Sequence, residues 1–317
     1  MTPTKMRVGI SSCLLGQQVR FDGGHKHDRR ITQELGEYFA WVPVCPEMEL
    51  GLGAPREALR LVRDGNDLRL TTSKLGRDLT DEVTAYAERR VDGLRSWNLR
   101  GYILKKDSPS CGMERVKVYD ADNVLDRSGV GVYAQSLLKA YPNLPVEEEG
   151  RLNDAALLEN FMTRVFAYDR WLRMREAHPQ VRDLVQFHTE HKTLLLVHQP
   201  PALSRLGRLV AEAGRRDLDQ SLHRYESLLM GALSRVATRK RHVNALQHLA
   251  GFLKRTLDAA EKAELHVVIG DYARGWVPLV APVTLLKYHV ARLSHPWADA
   301  QLYLEPYPKA LRLRNGI

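Results

Sequence analysis

Arg7-Val8-Gly9-Ile10-Ser11-Ser12-Cys13-Leu14-Leu15-Gly16 decides the fold of the first half of this 317-residue chain. Val8 and Ile10 mark a short buried strand, and the small residues ending at Gly16 mark a tight turn behind it. The arrangement recurs twice. Residues 41–44 run as a strand into Cys45-Pro46-Glu47, and Gly101-Tyr102-Ile103-Leu104 runs into a turn that ends at Ser108-Pro109-Ser110-Cys111-Gly112. A fourth strand is predicted over residues 116–119, with helices over 31–39, 80–97 and 130–140. Strands alternating with helices of this length predict an α/β domain with a mainly parallel, Rossmann-like sheet. Ligands of such sheets bind at the carboxyl ends of the strands, where all three cysteines fall.

Pro142, Pro145 and the run Glu147-Glu148-Glu149-Gly150 interrupt the pattern and read as a linker. The expected division is therefore residues 1–148 and 149–317. Beyond it, Leu157, Phe161, Val165, Tyr168 and Leu172 recur at helical spacing, as do the apolar positions of residues 181–198, 222–236 and 243–257, which predicts an all-α domain. Charge divides in the same place. Residues 1–150 hold 22 Lys+Arg and 22 Asp+Glu, so the whole formal charge of +9 falls on residues 151–317. A basic domain beside a neutral one is the footprint of a polyanion binder, with a merely solvated surface as the alternative. No run of apolar residues is long enough to cross a membrane, and no signal-peptide apolar region is expected over the polar residues 1–7. Three cysteines suit a reducing compartment, so a cytoplasmic protein is expected.

Three thiols converging on one sheet edge suit a thiophilic metal: zinc, copper(I) or an iron–sulfur cluster. Paired C-x-x-C spacing, the signature of structural zinc, is absent. Inert burial is the competing reading of the cysteine count. The flanks argue against it, because glycines and serines let backbone approach a bulky inorganic core and donate N–H groups to it. The same turns supply Ser12, Arg20, Asp22 and Ser110 as candidate substrate-binding residues, and Arg20 and Asp22 could equally fix the Gly23-Gly24 turn.

The motifs I-S-S-C-L-L-G at 10–16, C-P-E at 45–47 and S-P-S-C-G at 108–112 resemble those of the thiouracil desulfidase family, over about the first 145 residues. That resemblance implies a [4Fe-4S] cluster held by Cys13, Cys45 and Cys111, with the fourth iron open to the substrate sulfur. It also implies proton handling by Glu47 and Ser108, with Glu49 a rival for the acid–base role. Phe21 is a departure, since Tyr is expected before Asp-Gly-Gly. Replacing C=S by C=O needs a soft Lewis acid for the sulfur, a water and proton transfers, which these residue types can serve.

The second half resembles a helical family of formerly unknown function, through Phe187-His188-Thr189-Glu190-His191-Lys192, Asn244-Ala245-Leu246-Gln247-His248 and Tyr303-Leu304-Glu305-Pro306-Tyr307-Pro308 among others. Fusion of the two resembles the tRNA 4-thiouridine desulfidases. The implied partner is tRNA carrying 4-thiouridine, with free thiouracil as the alternative substrate and a non-catalytic iron–sulfur redox sensor as a third reading. Candidate tRNA contacts are Lys192, Arg215, Arg216, Arg239, Lys240, Arg241, Lys254 and Arg255, with Arg312 and Arg314 of the tail beside them. His188 and His191, at i and i+3, have no third soft ligand and read as polar residues of the core or of a groove. Tyr225, Trp276, Tyr288 and Trp297 are expected in the core.

Overall fold

The computed structural model describes residues 5–120, 123–293 and 295–317. The chain forms two compact units, Met1–Asn153 and Asp154–Ile317. In the first, elements follow in the order β1 (Met6–Ser11), β2 (Phe39–Val44), α1 (Pro46–Glu49), β3 (Leu59–Asp64), β4 (Asp67–Thr72), α2 (Thr80–Gly93), β5 (Gly101–Leu104), β6 (Val116–Asp120), β7 (Asn123–Gly129), α3 (Val132–Ala140) and β8 (Val146–Glu148). Strands β2-β1-β5-β8 make an all-parallel sheet, and β4-β3-β6-β7 make a second, mixed one. Strand β1 runs nearly continuously buried and β5 wholly so, as expected of strands covered on both faces. A side chain on Gly9 would collide with the Tyr102 ring of the neighbouring strand, so glycine here lets that ring cross β1. The Tyr102 and Tyr133 hydroxyls meet at 3.1 Å and tie the sheet to α3. Leu61 and Leu70 of the second sheet pack with Leu79 and Val83 of the α2 segment.

The chain leaves β1 for β2 on one side and returns for β5 on the other, which makes the carboxyl edge of β1 a topological switch point. All four strands predicted from sequence are present. The linker reading of 142–150 is not. Val146–Glu148 is strand β8, paired in parallel with β5 through Tyr102↔Val146 and Leu104↔Glu148. Glu147, Glu148 and Glu149 are buried. They tolerate burial because Arg151 Nε donates to Glu147 at 2.6 Å, the Met113 N–H to Glu148 at 2.7 Å and the Lys106 N–H to Glu149 at 2.8 Å. The units accordingly meet at Asn153/Asp154, past the expected position. The helix expected over 31–39 is instead an i→i+5 turn at Arg30–Glu34 and a 3₁₀ turn at Leu35–Glu37, and Phe39 already belongs to β2. The β3–β4 hairpin lies outside the four expected strands, and Gly65, at φ +60°, marks its two-residue turn.

The second unit is helical throughout: α4 (Ala155–Glu176), α5 (Val181–His198), α6 (Pro200–Glu212), α7 (Leu218–Leu233), α8 (Arg239–Leu253), α9 (Ala259–Arg274), α10 (Val280–Leu293) and α11 (Pro296–Asp299). Asp154, Asp217, Thr238 and Asp258 cap four of these by accepting from first-turn N–H groups. No described helix is long and apolar enough to cross a membrane. His188 and His191 are core residues: His188 Nδ1 meets the Tyr225 hydroxyl at 3.1 Å, and His191 Nδ1 the Phe187 carbonyl at 2.7 Å. Tyr225 is buried as expected. Trp276 and Tyr288, expected in the core, are instead 72% and 60% exposed, and Trp297 is half-buried against Phe252.

Burial lowers the pKa of His188 to about 4, of His242 to about 3, and of His191 and His198 in the same direction. The unfolded chain therefore binds protons first as pH falls below about 6.5, and stability present at neutral pH is lost from there down to the folded values. His188 and His242 each cost on the order of 2 kcal/mol by about pH 5. Urea unfolding followed by the helical circular dichroism signal is expected to show a clearly lower midpoint at about pH 5 than at pH 7. Equal midpoints would contradict the neutral burial of these rings.

Candidate functional site

Each cysteine follows a strand of the parallel sheet. Cys13 sits on the 3₁₀ turn Ser12–Leu15 directly after β1, and its carbonyl accepts from Gly16 and Lys26 N–H groups. Cys45 follows β2 and precedes α1, whose first turn carries Glu47. Cys111 closes the turn after β5. There the Ser108 hydroxyl oxygen accepts from the Cys111 N–H at 3.0 Å and the Ser110 N–H at 3.3 Å, which leaves its own O–H to donate. A side chain on Gly131 would overlap the Ser110 carbonyl, so α3 seats this turn closely. All three cysteines are free, and with Ser12, Glu47 and Ser108 they line one cleft of about 450 Å³.

Positive charge surrounds the cleft. Arg20, Lys26, Lys105 and Arg56 line it. Arg56 Nη1 donates to the Val19 carbonyl at 3.0 Å and the Gly53 carbonyl at 2.6 Å, joining the loop after Cys13 to the loop after Cys45. Its Nη2 lies 3.9 Å from Glu47 Oε2, and that oxygen is 3.5 Å from Cys45 Sγ. Lys105 Nζ pairs with buried Glu149 at 2.5 Å. Phe21, 42% exposed, lies in the wall with the Arg20 guanidinium 5.3 Å from its ring centre.

Burial pushes the Cys13 thiol up to about 11, with Lys105 opposing, and the Cys45 thiol up to about 12, with the Glu47 charge adding. Cys111 is raised by burial, then by Glu47, while the Ser11 hydroxyl favours its thiolate. Empty of metal, the thiols are therefore protonated at neutral pH, and a metal must displace three protons to bind. No set of three or more His, Cys, Asp and Glu side chains among the described residues closes on a point tightly enough for a single metal ion. Three thiols lining one cleft with cationic side chains beside them are a donor set that fits an iron–sulfur cluster.

The structure separates the remaining candidates. Ser12 and Arg20 reach the cleft. Asp22 does not: it accepts from Arg20 Nε at 3.3 Å and from the Gly24 N–H at 3.1 Å, fixing the turn. Ser110 is fully buried outside the lining and its hydroxyl has no hydrogen-bond partner among the described residues. Glu49 is occupied by the Tyr86 hydroxyl at 2.6 Å, Arg90 Nε at 2.8 Å and the Cys45 N–H at 3.2 Å, so Glu47 alone of the two faces the cleft. Lys105 and Arg56, given no role from sequence, belong to the site; their signal was adjacency to a strand end and to a glycine-rich turn. The basic candidates of the helical unit form no single patch. Arg239–Arg241 start α8 while Lys254 and Arg255 follow its far end, about 22 Å away along the axis. Arg241 donates to the His198 carbonyl at 2.7 Å, Arg239 to the Tyr272 carbonyl at 3.3 Å, and Arg216 pairs with Glu212 at 2.7 Å. Lys192 lines a separate shallow cleft with Val185 and Gly207, and Arg215 is exposed.

Metal-free protein is expected to react with iodoacetamide at about pH 7.5 at least about 100-fold more slowly than free cysteine, and at the free rate once unfolded. Rapid alkylation of the folded protein would contradict protonated thiols of which Cys13 and Cys111 are buried and Cys45 half-buried.

Residues 8–149 match the family model described as 2-thiouracil desulfurase, and residues 192–308 match DUF1722, a family of unknown function. Escherichia coli K12 protein YbgA, uncharacterised, is 30% identical over 167 residues, spanning 52% of this chain and 96% of that protein. Bacillus subtilis 168 protein YbbK, also uncharacterised, is 33% identical over 108 residues, 32% of this chain and 71% of that protein. A solved structure titled [4Fe-4S]-dependent thiouracil desulfidase TudS aligns at 29% identity and a TM-score of 0.38, covering 47% of this chain and 94% of that one. The three cysteine turns and the match over the whole α/β unit place this chain in the thiouracil desulfidase family, fused to a helical DUF1722 domain.

Proposed function

We propose that this chain is a [4Fe-4S]-dependent desulfidase that converts 4-thiouridine in tRNA to uridine and releases sulfide. The observation that carries the reading is the convergence of Cys13, Cys45 and Cys111, from three adjacent parallel strands, on one cleft that also holds Glu47 and Ser108. Cys13, Cys45 and Cys111 would hold the cluster, which would supply a thiophilic Lewis acid for the thiocarbonyl sulfur. The reaction replaces C=S by C=O with water as the oxygen donor and hydrogen sulfide as the product, so the protein must take a proton from water and see both of water's protons onto the departing sulfur. Glu47 serves the first task. Its carboxylate opens to the cleft, where Arg56 Nη2 lies 3.9 Å away and holds it in place. Ser108, its oxygen already accepting twice, donates its O–H to the pyrimidine ring. Phe21 offers a stacking face and Arg20 holds it.

The charge split supports a tRNA substrate, because nearly all the net positive charge lies in the helical half and phosphates dominate nucleic-acid affinity. Free thiouracil is the second reading, favoured by the family description and by a cleft with room for a single base. A redox sensor without chemistry would leave Glu47 and Ser108 without a task.

Anaerobically reconstituted protein is expected to release sulfide from thiolated tRNA. Glu47→Gln is expected to lose roughly 10²-fold or more in turnover while keeping the cluster absorption, and Cys111→Ser to lose both. Consumption of 2-thiouracil with thiolated tRNA left intact would select the second reading, and full activity in Glu47→Gln would remove the assigned proton transfer.

A further inference from the structure

The helical unit contains a cavity of about 760 Å³ that none of the eight principal basic candidates named from sequence lines. It is remote in composition from the desulfidase chemistry: no cysteine borders it. Helix α10 and the segment 304–315 form its walls, with Val280, Val283 and Leu313 on the apolar side. Tyr288, 60% exposed, stands at this wall. Lys309 and Arg312 are exposed, border the same space and form no ion pair among the described residues. The carboxylate of Glu305, also in the lining, is neutralised by Lys287. Beneath lies Arg314, 7% exposed, its guanidinium 4.8 Å from the Tyr303 ring centre and 3.9 Å from Glu159. Arg314 Nε and Nη1 have no hydrogen-bond partner among the described residues, and this group cannot shed its charge. Arg312 itself occupies the left-handed region at φ +53°, a conformation that persists only where the surroundings enforce it.

An exposed Tyr288 ring with the Arg292 guanidinium 6.0 Å from its centre, an apolar wall and two unpaired cations together match one ligand chemistry, a heterocyclic base joined to a phosphate. The volume lies in the range of small-ligand sites. We propose that this cavity holds one unpaired nucleotide of the tRNA chain, its base against Tyr288 and the apolar wall and its phosphate at Lys309 and Arg312. The proposal rests on the tRNA reading above and adds where the helical unit grips the nucleic acid. It also explains why the other basic residues need not form a patch: the grip is a pocket with a rim, not a stripe of charge.

Two variants test it in the full-length protein, Lys309→Ser combined with Arg312→Ser, and Tyr288→Ala, with unthiolated tRNA as the probe and affinity measured across a salt series. Both are expected to weaken binding about tenfold or more. The double variant should also lower the salt slope by about 2, which Tyr288→Ala should leave unchanged. Neither should alter turnover of 2-thiouracil or the thermal unfolding midpoint. Variants that bind tRNA with wild-type affinity and slope overturn the pocket while leaving the tRNA reading standing. A wild-type protein that fails to bind tRNA at all removes that reading and this proposal with it. Free 5′-UMP that binds the wild type more tightly than tRNA would assign the cavity to a free nucleotide and overturn the proposal as stated.

Discussion

Strand β1 pairs in parallel with β2, ending at Ser11↔Val44, and with β5 through Ile10↔Ile103. Those two registers bring Cys13, Cys45 and Cys111 to one edge although 98 residues separate the first from the last. Parallel pairing points all the carboxyl ends the same way, so the turn after each strand opens on the same side. A slip of either register would exchange the faces of a strand buried on both, and the core would not admit it. The thiols are therefore gathered by the fold, before any metal arrives to gather them.

Electrostatics then sets what the edge can hold. The neutral thiols are stable where they are, since burial raises their pKa. Making three thiolates there calls for compensating charge, and Lys105, Arg20 and Arg56 border the cleft to supply it. Lys105 is in turn held by Glu149, which follows β8 at the far edge of the sheet. An acidic run that looks solvated in sequence thus orders a cation of the site. The buried pair costs desolvation, and its worth lies in placing the ammonium group.

The core of this architecture was legible because it depends on local pattern: three strand-then-cysteine units with small residues in their turns. Glu47 and Ser108 were reachable through their motifs. What sequence did not show depends on pairing between distant segments. Strand β8 was hidden because Glu147 and Glu148 are polar, and only their partners Arg151 and Met113 make them buriable. The exclusion of Glu49 from the cleft needs Tyr86 and Arg90 of α2, some forty residues away. Ser110 sits beside a cysteine yet points away from the site, because the Ser108 turn and Gly131 fix the backbone between them. In the helical unit, composition located the charge but not the exposed aromatics, since helical spacing alone does not say which face of α10 meets a neighbour.

What the three thiols hold decides the chemistry of the cleft. Iron and acid-labile sulfide, counted per chain after anaerobic reconstitution, address that directly. The wild type is expected to hold about four of each, and to lose them when any one of Cys13, Cys45 or Cys111 is replaced by serine. Protein that takes up zinc alone, or no metal, with its fold intact, would contradict it.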